Sequence, residues 1–184
     1  MPYKEESQKA RMCAVRYLAY RDRSRNEIAH YLKGKGFSTS ALDETLALLE
    51  DNNYINDPRF ALKFGRSRIE NKKVGKIRLE RELKDKGLES QIISKALNSL
   101  YEEYDEREIA IVCAKKKLES FSLNDIEKER GRLARFLERK GFSSSLVYQV
   151  VTQLIPRASN NDLVPSLPLT GKQYQKTVSS RSQD

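Results

Sequence analysis

Residues 63–78, KFGRSRIENKKVGKIR, set seven cations (Lys63, Arg66, Arg68, Lys72, Lys73, Lys76 and Arg78) against a single acid, Glu70, for a local charge of +6. Such a density suits one chemistry above others: neutralising an anionic polymer or an acidic protein surface, since each ammonium or guanidinium can take a phosphate or carboxylate oxygen. Lys72, Lys73 and Lys76 flank Gly75, where a short loop would let flexible side chains reach outward. A second candidate set, Arg132, Arg135 and Arg139, follows the i, i+3, i+7 spacing that aligns side chains on one helix face. Lys115, Lys116 and Lys117 cannot all share a face, because successive helical residues point about 100° apart. A solvated helix face with an ordinary loop would carry similar charges, so only their concentration makes residues 63–78 a binding candidate. The whole chain points the same way: 35 Lys and Arg against 26 Asp and Glu give a formal +9 over 184 residues, favouring an anionic partner such as nucleic acid.

Catalytic chemistry finds no comparable support. His30 is the single histidine, and a lone histidine on a helix is more often structural or exposed than catalytic. Cys13 and Cys113 lack the CxxC spacing of a zinc site and form no disulfide framework, so both are read as small buried hydrophobes. No glycine-rich phosphate loop, nucleophile elbow or paired-carboxylate motif is found, and the acidic run YEEYDERE at 101–108 reads as a junction and helix start rather than a metal site. Tyr17, Tyr20, Tyr31, Tyr54, Tyr101, Tyr104 and Tyr148 read mostly as packing or turn residues, though exposed ones could stack on bases. The expectation is a protein that is not an enzyme and needs no metal or cofactor. MPYKEESQKA has no signal-peptide core and no 18-residue apolar run occurs, so no membrane contact and a cytoplasmic location are expected.

The elements that must position these charges are helices. Between residues 3 and 155 the only proline is Pro58, and Asp57–Pro58 reads as an N-cap followed by the first helical residue. Ser24 and Glu27 form a capping box, and Asp105 reads as another cap. Apolar periodicity predicts helices over about 8–22, 25–34, 40–51, 58–70, 76–86, 90–103, 106–119, 125–139 and 144–154, with Gly131 a weak point in the eighth.

Three near-copies punctuate this series: LKGKGF at 32–37, LKDKGL at 83–88 and LERKGF at 137–142, offset by 51 and 54 residues. That offset aligns Ile28, Leu79 and Leu133, and likewise Leu32, Leu83 and Leu137. Three further apolar columns follow the glycine: Leu42, Ile93 and Val147, then Leu46, Leu97 and Val151, then Leu49, Leu100 and Leu154. Gly36, Gly87 and Gly141 fall where a helix end calls for a left-handed residue, each behind a lysine at the negative end of the dipole. The chain therefore reads as all-α, three tandem three-helix repeats forming an elongated, curved array. The units span 1–53, 54–103 and 104–155, and a disordered tail covers 156–184. Too small to bury a secure core alone, neighbouring units are expected to share an interface.

YLAYRDRSRNEIAHYLKGKGF, LLEDNNYINDPRFALKFGRSRIENKKVGKIRLERELKDKGL and RLARFLERKGF together resemble the RecX family of bacterial recombination regulators over roughly residues 10–154, most specifically through YINDPRFA, the basic segment and ELKDKGL. The resemblance implies a non-catalytic protein; separately, a monomer is expected, with dimerisation left open. It would bind the RecA recombinase or its filament on single-stranded DNA and mainly inhibit it, with effects on ATPase and co-protease activity, DNA repair, recombination and the SOS response. Contact with single- or double-stranded DNA is also implied. The competing reading is a DNA-binding transcription regulator, since three-helix units can place a helix in the major groove. Against it, no helix shows a clear base-reading set of Arg, Asn and Gln.

Overall fold

The computed structural model describes residues 2–121 and 125–157, with side chains from residue 5 onward; the expected tail lies outside the described residues from 158 on. Among the described residues there are nine helices and no strand: α1 (Pro2–Leu18), α2 (Arg25–Gly34), α3 (Thr39–Asp51), α4 (Asp57–Lys72), α5 (Lys76–Asp85), α6 (Ser90–Glu103), α7 (Glu106–Leu118), α8 (Ile126–Lys140) and α9 (Ser144–Leu154). They follow one another as three units of three, and the closest helix–helix packing falls inside each unit.

The aligned columns explain why. Ile28, Leu79 and Leu133, with Leu32, Leu83 and Leu137 one turn on, are fully buried in their three units. Each such side chain removed from water is worth about 1.5–3 kcal/mol, enough to hold the second helix of a unit against the other two. Gly36, Gly87 and Gly141 adopt φ of +85°, +74° and +89°, so all three repeated turns are left-handed helix ends. Gly131 does not interrupt α8.

The core is divided unequally. The first unit keeps its own cluster around Ala10, Ala14, Ile28, Leu32, Leu46, Leu49 and Ile55. One continuous cluster runs through the second and third units, from Phe60 and Ile69 through Leu79 and Leu100 to Leu133, Phe142 and Val150.

Two expectations about helix starts need correction. The cap of α4 is Asn56, whose side chain accepts from the Arg59 N–H at 2.8 Å; Asp57 is the first helical residue and Pro58 the second. Pro58 still loses nothing, because the N–H it lacks is one of the four a helix start leaves unpaired. Asp57 is released for another task, described below. The first helix begins at Pro2 rather than near residue 8 and ends at Leu18 rather than 22. Its polar opening, KEESQK, hides the helix from an apolar-periodicity reading. What holds it is a set of polar contacts: Glu6 accepts from the Ser38 N–H (2.7 Å) and hydroxyl (2.9 Å), and the Ser7 hydroxyl donates to Glu44 (2.6 Å).

Candidate nucleic-acid interface

The basic residues are positioned by the way one unit ends against the next. In a helix the first N–H groups and last carbonyls have no intrahelical partner. Here the end of α8 supplies carbonyls to the start of α5: the Gly75 N–H donates to Lys140 O (2.9 Å) and the Ile77 N–H to Gly141 O (3.1 Å). Two helix ends of opposite dipole sign are thereby joined head to tail. Gly75 has to be glycine, since a Cβ there would lie 2.4 Å from Gly141 O and 2.6 Å from the Phe142 nitrogen. The arrangement recurs one unit earlier, where the Ser24 hydroxyl, at the start of α2, donates to Lys86 O (2.7 Å) at the end of α5. A second contact also recurs: the first N–H of α2 (Arg25) donates to Asp57 (2.8 Å), the first residue of α4, and the first N–H of α5 (Lys76) to Glu106 (2.8 Å), the first residue of α7.

At the α5–α8 joint this geometry gathers cations far apart in sequence. Lys72 and Lys73 end α4, Lys76 opens α5, and Arg139 and Lys140 close α8. Lys140 Nζ donates to Lys72 O (2.7 Å), and Arg78 Nη1 to Arg139 O (3.3 Å). Lys73, at φ +50°, is held left-handed, a conformation that costs a side-chain-bearing residue roughly 1–2 kcal/mol. Burial raises the Cys113 thiol above its ordinary value, opposed by the positive charges of Lys140, Lys73 and Lys116, so all three lie close enough to act on one sulfur. Lys116, on α7, acts electrostatically on the same thiol as Lys73 and Lys140.

Half of the ten sequence-nominated cations are engaged within the fold. Lys63 pairs with Asp22 (3.0 Å) and Arg66 with Glu103 (2.8 Å). Arg68 and Arg78 flank Glu82 at 2.7 and 2.8 Å, the Arg68 contact lacking hydrogen-bond alignment. Arg68 also covers the Phe64 ring, while Arg132 pairs with Glu129 (2.8 Å) and lies over Phe121. Lys72, Lys73, Lys76, Arg135 and Arg139 have no acidic partner among the described residues, and all but the half-buried Lys73 are exposed. The three arginines of α8 thus differ: Arg132 is neutralised locally, while Arg135 and Arg139 keep their charge toward solvent.

The other joint, between the first and second units, balances its charges. Lys86 Nζ donates to Glu27 (2.7 Å), which also receives Arg21 (2.7 Å) and the Ser24 N–H (3.2 Å). Burial works against the Glu27 carboxylate, but these hydrogen bonds together outweigh it and bring its pKa down to about 2. Burial instead raises Asp57, against the hydrogen bond from Arg25. A cleft of about 440 Å³ opens beside this joint, lined by Tyr17, Asn26, Glu27, His30, Tyr31, Asp85 and Lys86. Tyr17 and Tyr31 stack at 4.0 Å, which makes them packing partners, and His30 is exposed with its ring 3.0 Å from Asn26 O. Cys13 is half-buried and Cys113 buried. Among the described residues no cluster of His, Cys, Asp or Glu is arranged to hold a metal, and no helix is long and apolar enough to cross a membrane.

Fold and site define an all-α helical repeat protein, three units joined end to end, the last two sharing one core and a cationic joint. The comparisons with known proteins narrow this. Residues 10–49 match the first three-helix domain of RecX, 56–97 the second and 104–151 the third. The chain belongs to the RecX family. Regulatory protein RecX of Bacillus thuringiensis (strain Al Hakam) is 28% identical over 172 residues, and that of Bacillus cereus (strain AH820) 29% over 174. Each alignment covers 94% of this chain but 63% of the relative, so the chain spans less than two thirds of the length of these relatives. The crystal structure of RecX from Lactobacillus salivarius superposes with a TM-score of 0.73 at 24% identity, covering 82% of this chain and 97% of that one, and shows the same fold.

Proposed function

We propose that the protein regulates the RecA recombinase by binding its filament on single-stranded DNA and mainly inhibiting it, without catalysis of its own. The observation that carries this reading, beside family membership, is the convergence on one joint of cations that have no acidic partner among the described residues: Lys72, Lys73 and Lys76 from the second unit, Arg139 and Lys140 from the third. Cations from different units, held by backbone hydrogen bonds, can meet successive phosphates of a strand lying across the joint, and each phosphate neutralised releases counterions. Binding across two units would oppose the gain or loss of filament subunits, and ATP hydrolysis would fall as a consequence.

The test is RecA ATPase on single-stranded DNA at substoichiometric amounts of this protein. Inhibition is expected; unchanged turnover across a wide concentration range would overturn the proposal. In the triple variant Lys72→Glu, Lys73→Glu, Lys76→Glu, affinity for single-stranded DNA should drop at least tenfold and its salt dependence flatten. Helical content should be unaltered, because none of these three side chains makes an ion pair among the described residues. DNA affinity equal to the parent's would clear the joint of that role.

A further inference from the structure

The repeated turn does the same work twice and then stands free once. Lys140 and Lys86 occupy equivalent positions, 54 residues apart, and their carbonyls accept from Gly75 and Ser24, equivalent positions 51 apart. One unit earlier again, 51 residues before Lys86, stands Lys35. Its turn keeps the parts used in the two joints: Leu32 buried beneath, Gly36 at φ +85°, and Phe37 where Leu88 and Phe142 stand. Yet Lys33, Gly34, Lys35 and Gly36 are all exposed, Phe37 is only half-buried where Leu88 is 6% and Phe142 2% exposed, and none of the described residues donates to the Lys35 carbonyl. The Lys35 ammonium, whose counterpart Lys86 grips Glu27, lies over the Tyr31 ring at 5.6 Å and has no acidic partner among the described residues.

The far end of the series is closed. The position equivalent to Gly75 in the third unit is Glu129, 54 residues on. It does not open a helix, because α8 starts a turn earlier at Ile126, and the Glu129 N–H is consumed by Asp125 O (3.0 Å). Glu129 and Arg130 are buried there, Glu129 against Arg132 and Arg130 against the Ile155 carbonyl. A second copy of this chain therefore offers no receiving site of the kind found in the two joints.

Resting on the function proposed above, we propose that the first unit's LKGKGF turn is a docking end for the amino-terminal tip of a helix in a protein partner, here a RecA filament subunit. By the chemistry of the internal joints, that tip presents a free N–H or a hydroxyl to the Lys35 carbonyl and a first-turn carboxylate to the Lys35 ammonium, as Ser24 and Glu27 do for Lys86. Lys35 closes α2 at the end opposite Ser24, which makes the joint with the second unit, and the cationic joint is formed by other residues, on α4, α5 and α8.

The experiment is co-sedimentation with RecA filaments on single-stranded DNA, comparing the full chain with Lys35→Glu and, as a charge-matched neighbour, Lys33→Glu. Lys35→Glu should weaken filament binding about tenfold, leaving affinity for free DNA unchanged, while Lys33→Glu stays near the parent. Photocrosslinking from a benzophenone residue at position 34, where an added side chain meets nothing within 4 Å, should then capture the first turn of a RecA helix. Binding by Lys35→Glu equal to the parent's, equal losses in both variants, or a crosslink only to a second copy of this chain would each overturn the inference while leaving filament binding intact. Absence of filament binding by the parent would instead remove the function on which it rests.

Discussion

The two joints of this molecule use the same positions and different chemistry. Between the first and second units the contact is made by side chains: a serine hydroxyl to a carbonyl, and a glutamate held by Lys86 and Arg21. Between the second and third it is made by backbone, two N–H groups to two carbonyls, with an apolar core running through both units. The side-chain joint depends on rotamers and charge state, and the first unit beside it keeps a separate core; the second joint adds side-chain contacts of its own but rests on a backbone pair that admits no side chain at Gly75. One motif thus yields a joint centred on a titratable carboxylate and another centred on a backbone pair.

The largest effect should come from the backbone joint. Gly75→Val places a side chain against backbone atoms of Gly141 and Phe142 that cannot swing aside, and should lower stability by about 3 kcal/mol, read as a shifted denaturation midpoint. An unshifted midpoint would show that the joint opens freely.

The charge state of Glu27 tests the other joint. Its pKa is depressed to about 2 from an ordinary 4.5, so its contribution is fully present above pH 4.5 and disappears as pH falls through about 2. The difference in melting temperature between the parent and Glu27→Gln should accordingly shrink over that window. A difference constant with pH would contradict the assignment. Ser24→Ala removes both a helix cap and the donor to Lys86 O, and about 1 kcal/mol should be lost. Hydrogen exchange should show the loss as faster exchange in α2 than in α8. Lys63→Ala, which breaks an exposed pair with Asp22, should change stability by less than about 0.5 kcal/mol.

Much of the fold was legible because helix grammar is local. The caps at Ser24 and Asp105, the left-handed glycines and the buried leucine columns each follow from a few neighbouring residues. The exceptions are instructive. Asp57 looked like a cap and is instead spent on Arg25 of the preceding unit, while Asn56 caps α4. The start of α1 was hidden because polar contacts with α3, rather than an apolar stripe, hold it in place. The candidate site was legible only as a concentration of charge. Nothing in sequence spacing told that Lys63, Arg66, Arg68, Arg78 and Arg132 would meet acids, or that Lys116 and Lys140 would join Lys73 around Cys113.

By itself the sequence determined an all-α chain of three units, the repeated glycine helix ends and the sign of their charge, since periodicity, capping and composition act within a few residues. Tertiary structure alone decided which helix end docks, which stays open and which cations remain unpaired. Those outcomes depend on carbonyls, amides and carboxylates brought together from positions 30 to 70 residues apart, and chain separation carries no record of that proximity.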